Sequence, residues 1–155
     1  MDIRNFAIKA LSTFFYIGYL PLIPGTFGSL AGLGIFYLIK GNSFVYILST
    51  VSLTALGFLI TAQAERVFNK KDARCIVIDE VSGMLLSLAF IPYSLKLAVI
   101  GFIIFRILDA LKPFPAGRVE NFQGSSGIMG DDIIAGLYTN IILQVLLRVV
   151  SFRIS

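Results

Sequence analysis

The sequence contains no histidine, a single cysteine and few charged residues. Without histidine, the protein cannot use a phosphohistidine intermediate, a Ser-His or Cys-His nucleophile pair, or the commonest zinc ligands. Cys75 cannot form an intramolecular disulfide, and a cysteine-phosphatase loop (C-x5-R) is excluded because Val81 is the sixth residue after it. The chemistry that is left must use carboxylates, hydroxyls, lysine or arginine, with or without a hard metal ion.

The scarcity of charge also indicates where the protein lies. Only 14% of the 155 residues are charged, whereas 57% are hydrophobic. A soluble domain of this length needs a larger polar shell, so we expect one domain, residues 1–155, embedded in a membrane. Because lipid offers no hydrogen bonds, the chain is predicted to form an all-α integral membrane bundle with short or broken helices.

The hydrophobic segments differ in length and in their interruptions. Pro92 breaks one of them, which favours a short helical hairpin there, and residues 40–43 are typical of a turn. The predicted helical segments are an interfacial helix at 6–20, a short helix at 29–39, a crossing helix at 44–64, the hairpin at 81–105 and a last helix at 133–150.

The charges are concentrated in two polar stretches, residues 65–80 and 106–132. Eight of the nine acidic residues lie there or at the edges: Glu65, Asp72, Asp79, Glu80, Asp109, Glu120, Asp131 and Asp132. If the intervening segments are hairpins, these charges meet on one polar face. The basic residues that accompany them predict a cytoplasmic face of a multi-pass protein in the inner membrane, and attraction to anionic lipids rather than to nucleic acid.

A glycine-rich segment, residues 21–30, precedes the first short helix. Its glycines would bring backbone N–H groups close to an anion, and a helix starting near Ser29 would add its positive end. The hydroxyls of Thr26 and Ser29 could donate to a phosphate. The alternative is a plain turn with Ser29 as a helix cap, and the segment lacks the Gly-Lys-Ser/Thr element of a Walker loop.

Two pairs of adjacent acids, Asp79-Glu80 and Asp131-Asp132, each adjoin the start of an apolar helix. Acids at a helix start can simply complement the helix dipole. Four carboxylates brought together repel strongly unless a cation lies between them, however, and oxygen ligands suit Mg²⁺. Adjacent helical residues point about 100° apart, so we expect one member of each pair to matter more, with a preference for Asp79 and Asp131.

Three charged residues, Arg106, Asp109 and Lys112, recur at i, i+3 spacing and therefore project from one helix face. A surface ladder of salt bridges is the simpler interpretation. However, Lys112-Pro113 should end the helix, and this leaves the lysine at a rim from which it can reach a phosphate.

Together these motifs resemble the phosphatidylglycerophosphatase A family of bacterial membrane enzymes, over about residues 16–140. The matching segments are residues 24–29 (PGTFGS), Lys71-Asp72, residues 79–83 (DEVSG), residues 105–115 (FRILDALKPFP) and residues 127–136 (GIMGDDIIAG). Ile23, Leu108 and Ser125 depart from the usual family pattern without removing a charged group.

The resemblance implies Mg²⁺-dependent hydrolysis of the terminal phosphate of phosphatidylglycerophosphate, a membrane phospholipid. Whether a carboxylate or a metal-activated water attacks is left open, although Asp131-Asp132 lacks the Asp-x-Asp spacing of aspartyl-phosphate enzymes and so favours water. The implied residues are Asp79, Asp109, Arg106 and Lys112 for catalysis; Thr26, Gly28, Ser29, Arg106 and Lys112 for the phosphate; and Asp79, Glu80, Asp131 and Asp132 for the metal.

Other functions use some of the same features. A phosphatase of another lipid, such as a polyprenyl phosphate, would need the same polar groups. A small ion or solute transporter would instead use intramembrane carboxylates, with charges spread through the bilayer and on both faces. The long Asp-x-x-Asp-Gly-x-x-Ala-Arg signature of CDP-alcohol phosphotransferases is absent.

Overall fold

The computed structural model describes residues 2–39 and 41–154, with side chains up to residue 149. These ranges contain no strand, so the all-helical prediction is confirmed. The helices are α1 (Ile3–Ser12), α2 (Pro24–Leu38), α3 (Ser43–Phe68), α4 (Ile78–Ser87), α5 (Leu95–Leu111), α6 (Ala116–Val119) and α7 (Ser125–Ile154), with a 3₁₀ turn at Ile17–Tyr19.

Two helices are long and apolar enough to cross a membrane: α3, and α7 over Ser125–Val149. Only 22% and 28% of their most apolar windows are buried inside the protein. Large apolar side chains therefore point outward along both helices, for example Leu48, Leu59 and Ile141. Water does not tolerate such extended apolar surfaces, whereas lipid does, and we therefore describe the molecule as a membrane protein.

The short helix α4 is the centre of the bundle and packs against α2, α3, α5 and α7. Eight of its ten residues are buried. Val81, Met84 and Leu85 form a core with Phe105 of α5 and Leu143 of α7. Because neighbours surround α4, any polar group it carries inward must be satisfied by those neighbours.

Glycines let the neighbouring backbones approach α4 closely. A Cβ added to Gly32 of α2 would lie 2.8 Å from the carbonyl oxygen of Val81. A Cβ added to Gly136 of α7 would lie 2.6 Å from the carbonyl oxygen of Gly83. Such contacts between small residues are how helices associate in membranes.

The residues from Pro24 and from Ser125 onward are helical, and the helix starts predicted near Ser29 and at residue 133 were wrong. Helix α2 begins at Pro24 rather than near Ser29, because proline fits the first helical turn. Helix α7 begins at Ser125 rather than at residue 133, so Asp131 and Asp132 lie within it. The glycines of these segments serve helix packing, which a helical backbone permits.

The other boundaries follow the hydrophobic pattern more closely. Helices α4 and α5 form the predicted hairpin, with the break at residues 88–94. Helix α1 ends earlier than predicted, because residues 14–16 adopt positive φ angles. Asn42 caps α3 by accepting a hydrogen bond from the Val45 N–H, while Lys40 of the predicted turn lies outside the described residues.

The order of the helices brings five helix ends to one end of the bundle. The first turns of α2 and α4 and the early turns of α7 line one cavity together with the ends of α3 and α5. Helix α1 packs beside them, since Arg4 donates to Gln63 and Lys9 lies over the Phe68 ring. This end of the bundle therefore gathers the polar segments, and we call it the polar end.

Candidate active site

A cavity of about 300 Å³ opens at the polar end. Its lining includes all eight acids of the two polar stretches and four basic residues: Lys71, Arg74, Arg106 and Lys112. Residues separated by more than fifty positions thus share one solvent-accessible space, as expected if the intervening segments are hairpins.

Three carboxylates form a tight cluster in this cavity. One oxygen each from Asp79, Glu80 and Asp132 lie within 4.8 Å of one another. In addition, Asp79 Oδ1, Glu80 Oε2 and Asp132 Oδ1 are buried without a hydrogen-bond partner among the residues described. Buried anionic oxygens without donors are costly, and a divalent cation with oxygen preference fits this set of ligands.

The crowding of carboxylates also changes the pKa values of the two acids of α4, Asp79 and Glu80. Burial raises the pKa of Asp79 well above its ordinary value, and the charge of Glu80 raises it further. Burial also raises the pKa of Glu80, although the charge of Arg106 acts in the opposite direction. The site therefore disfavours simultaneous ionisation of the pair unless positive charge is supplied.

The two acids of α7 point to different partners. Asp132 joins Asp79 and Glu80, whereas Asp131 Oδ2 accepts a hydrogen bond from Lys112 Nζ at 2.7 Å. Asp131 Oδ1 is nevertheless buried without a partner in the described part of the chain. The sequence favours Asp131 as the more important member of this pair, but in the structure Asp132 is the member that joins the cluster. The rotation of α7 about its axis directs Asp132 towards α4.

Arg106 and Lys112 are both held by ion pairs. Arg106 Nη1 lies 2.7 Å from Asp109 Oδ2, as the i, i+3 spacing predicts. Lys112 does not continue this ladder towards Asp109. The helix ends before it and its φ is +45°, so that its Nζ lies 2.6 Å from Glu120 Oε1 and 2.7 Å from Asp131 Oδ2.

These two contacts stabilise the protonated form of Lys112. Burial alone would lower the pKa of its ammonium group, but the hydrogen bonds to Asp131 and Glu120 outweigh burial and raise the pKa above its ordinary value. Lys112 therefore stays protonated and links the α5 end to α7.

Thr26, Gly28 and Ser29 are not among the residues that line the cavity. Gly28 packs against Val77, where an added Cβ would lie 2.9 Å from the Val77 Cβ. Ser29 is buried and donates to the Gly25 carbonyl at 3.0 Å, and its Oγ accepts a hydrogen bond from Arg106 at 3.4 Å. Since α2 is helical from Pro24 onward, Gly28 serves the packing of α2 against the residue before α4, and Ser29 holds Arg106.

Gly25 does line the cavity, as do Leu22, Ile23 and Pro24 of the same segment. A Cβ added to Gly25 would overlap the Glu80 carboxylate. A side chain at position 25 would thus displace a member of the acidic cluster, which explains the glycine without a phosphate loop.

Two exposed cations of the cavity, Lys71 and Arg74, were not among the predicted site residues. Within the part of the chain that the structure describes, neither forms a salt bridge. Lys71 belongs to the matched Lys71-Asp72 motif, whereas Arg74 lies outside every matched motif. Their position on either side of Asp72 in the first polar stretch is the signal that could have identified them.

These features define a class: an all-helical membrane protein whose polar end carries a carboxylate cluster. Basic side chains lie in the same cavity, some held in ion pairs and others exposed. Such a site is suited to chemistry on a phosphate group at the membrane surface. The chain belongs to the phosphatidylglycerophosphatase A family, whose sequence profile matches residues 10–147. The resemblance stated from the sequence is thereby confirmed.

Three relatives are similar over most of their length. A phosphatidylglycerophosphatase A of Escherichia coli K12 is 36% identical over 130 residues, covering 82% of this chain and 76% of the relative. A phosphatidylglycerophosphatase A of Haemophilus influenzae is 34% identical over 140 residues, covering 88% and 86%. A putative phosphatidylinositol-3-phosphatase of Bacteroides thetaiotaomicron is 28% identical over 150 residues, covering 91% and 94%. No solved structure matches the chain.

Proposed function

We propose that the protein hydrolyses the terminal phosphate of phosphatidylglycerophosphate, giving phosphatidylglycerol and phosphate, with Mg²⁺ held by the acidic cluster. Family membership supports the reaction class, a phosphoric monoester hydrolase. The single observation that carries the metal is the set of buried carboxylate oxygens on Asp79, Glu80 and Asp132 without hydrogen-bond partners in the described chain. Asp131 shares this property and would complete the set from the Lys112 side.

The metal ion would supply charge neutralisation of the phosphoryl oxygens and activation of the attacking water. In the hydrolysis, a water oxygen bonds to phosphorus, the bond from phosphorus to the glycerol oxygen breaks, and the departing alcohol takes up a proton. The eight acids of the cavity would repel a phosphate, so the nearby cations are needed to hold it.

The four basic residues of the cavity fall into two groups, those held in ion pairs and those without a salt bridge among the described residues. Arg106 is oriented by Asp109 and Ser29, and Lys112 by Glu120 and Asp131, so both are held in place before substrate binds. Lys71 and Arg74 have no such partners and are available to a ligand. We assign Arg106 and Lys112 to the reacting phosphate and Lys71 and Arg74 to the anionic headgroup nearer the rim.

The polar end is proposed to face the cytoplasm from the inner membrane. Lys9, Lys71, Arg74, Arg106 and Lys112 lie in segments of this end, which supports that orientation through the positive-inside rule. In a Cys75→Ser background, a cysteine replacing Lys70 should react with a membrane-impermeant thiol reagent only after the inner membrane has been opened. Labelling of intact spheroplasts would contradict the orientation.

The reaction is tested by phosphate release from long-chain phosphatidylglycerophosphate by the purified protein in mixed micelles. We expect release that stops with excess EDTA and returns when Mg²⁺ is added beyond the chelator. Asp132→Asn, which keeps the size of the side chain but removes its charge, is the matched control and should lose the Mg²⁺ response. Full activity after chelation would refute the role of the metal, and absence of phosphate release under all conditions would refute the function.

A second candidate is a phosphatase of a different lipid phosphomonoester. The observation that favours it is the Bacteroides relative, whose name refers to phosphatidylinositol 3-phosphate. The described site contains the same groups for either substrate. Comparing kcat/KM for phosphatidylglycerophosphate, phosphatidylinositol 3-phosphate and a polyprenyl phosphate separates the two, because the preferred lipid has the highest value.

The transporter alternative is less well supported by the distribution of charge. It requires ionisable groups along the bilayer depth, whereas all eight acids of the polar stretches line the one cavity at the polar end. A cluster at one end fits a surface reaction better than a pathway across the membrane.

A further inference from the structure

The residue with the most exposed large apolar side chain in the described chain is Leu22, which is 94% exposed. Its φ is +77°, in the left-handed region that leucine rarely adopts. Phe15, Tyr16 and Phe90 also combine an exposed large apolar side chain with a positive φ, but none of them lines the charged cavity. Leu22 is the residue of the described chain that combines both features with a place in the cavity wall, and strained residues cluster at functional sites.

Leu22 lies at the mouth of the charged cavity rather than along the outer surface of the membrane helices. It lines the cavity together with Ile23, which is 53% exposed. Gly25, two residues further along, abuts the Glu80 carboxylate. Because consecutive Cα atoms are about 3.8 Å apart, the Ile23 Cα lies within about 8 Å of the backbone that touches the acidic cluster.

The segment before Leu22 is fixed to the polar end and presents apolar and aromatic groups. Gly18 fits against the backbone of Cys75, where an added Cβ would overlap the carbonyl oxygen. Phe15 is 66% exposed and Tyr19 is 53% exposed. Aromatic residues of this kind are enriched at the boundary between lipid and water. The surface that leads to Leu22 therefore matches a membrane interface.

We propose that Leu22 and Ile23 form a lip that contacts the glycerol-ester and upper acyl region of a phospholipid while its phosphate lies in the cavity. This inference rests on the proposed function. It assigns a contact to the apolar part of the phospholipid, which the charged groups of the cavity cannot recognise. A water-soluble phosphomonoester needs only the cavity, whereas a phospholipid must also cover an apolar edge. The exposed leucine beside the acidic cluster meets that second need.

The experiment compares long-chain phosphatidylglycerophosphate in mixed micelles with its deacylated, water-soluble counterpart. In Leu22→Asn and Leu22→Gly, the ratio of kcat/KM for the lipid to kcat/KM for the deacylated ester should fall at least about tenfold, mainly through KM for the lipid. Glycine and asparagine both tolerate positive φ, so both variants should fold, and Leu22→Gly should be at least as stable as the wild type.

Leu38→Asn is the matched control, because Leu38 is 85% exposed near the other end of α2 and does not line the cavity. It should leave the ratio unchanged. Phe15→Asn separates general membrane binding from the lip, because it should weaken vesicle binding without lowering the ratio in micelles.

The possible outcomes separate the lip from the proposed function. An unchanged ratio in the Leu22 variants, or an equal fall in Leu38→Asn, would overturn the lip while the phosphatase stands. A wild type that hydrolyses neither substrate would overturn the proposed function and the lip together.

Discussion

The acid pairs of α4 and α7 have similar sequences but different surroundings. Asp79 and Glu80 lie in the first turn of a helix enclosed by four others, and both contribute to the cluster. Asp131 and Asp132 lie further inside α7, and only Asp132 joins that cluster, while Asp131 pairs with Lys112. Thus one pair supplies two unneutralised carboxylates, and the other supplies one and anchors a cation with its neighbour. Adjacent acids in a motif therefore do not have equivalent surroundings.

The largest effect should come from removing an unneutralised carboxylate. Asp79→Asn and Asp132→Asn should each lower kcat/KM by about 10³-fold, because a metal ligand supports several kcal/mol of transition-state charge stabilisation. Asp131→Asn should lower kcat/KM only about tenfold. The measurement is activity as a function of Mg²⁺ concentration, together with Mg²⁺ affinity by calorimetry. Equal losses for Asp131→Asn and Asp132→Asn would contradict the division within the α7 pair.

The second-largest loss of activity should come from removing Lys112, the cation that pairs with Asp131. Lys112→Met keeps much of the side-chain volume but leaves Asp131 and Glu120 unpaired, and should lower kcat/KM by about 10²-fold. In a double-mutant cycle, Lys112→Met and Asp131→Asn should be less harmful together than their separate effects predict. Strict additivity in kcat/KM would show that the 2.7 Å contact does not couple the two residues during turnover.

A smaller effect should come from separating the helices that carry the two pairs. A Cβ at Gly83 would lie 2.7 Å from the Phe105 ring and 2.8 Å from the carbonyl oxygen of Asp132. Gly83→Ala should therefore lower the free energy of unfolding by about 1–3 kcal/mol and weaken Mg²⁺ binding, because α4 and α7 must move apart. Chemical denaturation and Mg²⁺ titration measure the two effects.

Gly34→Ala is the control for this substitution. Gly34 is also in a helix, but no atom lies within 4 Å of an added Cβ. Alanine there should be neutral or stabilise by up to about 1 kcal/mol. If both variants lose the same stability, the close contact at Gly83 is not the cause.

The smallest effect should come from Lys71 and Arg74, the two cations of the cavity that form no salt bridge among the described residues. Lys71→Gln and Arg74→Gln should each raise KM for the phospholipid by less than about tenfold with little change in kcat, since exposed charges contribute about 1 kcal/mol or less. The increase in KM should diminish at high salt, which steady-state kinetics at two ionic strengths would reveal. A fall in kcat instead would place these residues at the reacting phosphate.

The fold and the gathering of charge could be predicted from the sequence because they depend on one-dimensional patterns. Pro92 interrupts an apolar run and gives the hairpin, and uncharged segments of sufficient length give helices. The use of Gly28 could not be predicted in this way, since glycine serves a turn and a close helix contact equally well and only the partner, here Val77, decides. The division between Asp131 and Asp132 depends on the rotation of α7 against α4, which local sequence does not contain.

The enclosure of α4 by four other helices has a consequence for how the protein is made. The last of these helices also completes the hydrogen bonding at the end of α4, because the side-chain amide of Asn140 in α7 donates to the carbonyl groups of Ser87 and Ala89. Helix α4 emerges from the ribosome before α7, with those carbonyls unsatisfied and with Asp79 and Glu80 at its other end. A short segment of this composition is a poor substrate for insertion on its own. We therefore expect the centre of the bundle to form only after α7 has been synthesised, because α7 supplies both the partner of these carbonyl groups and the third carboxylate of the cluster.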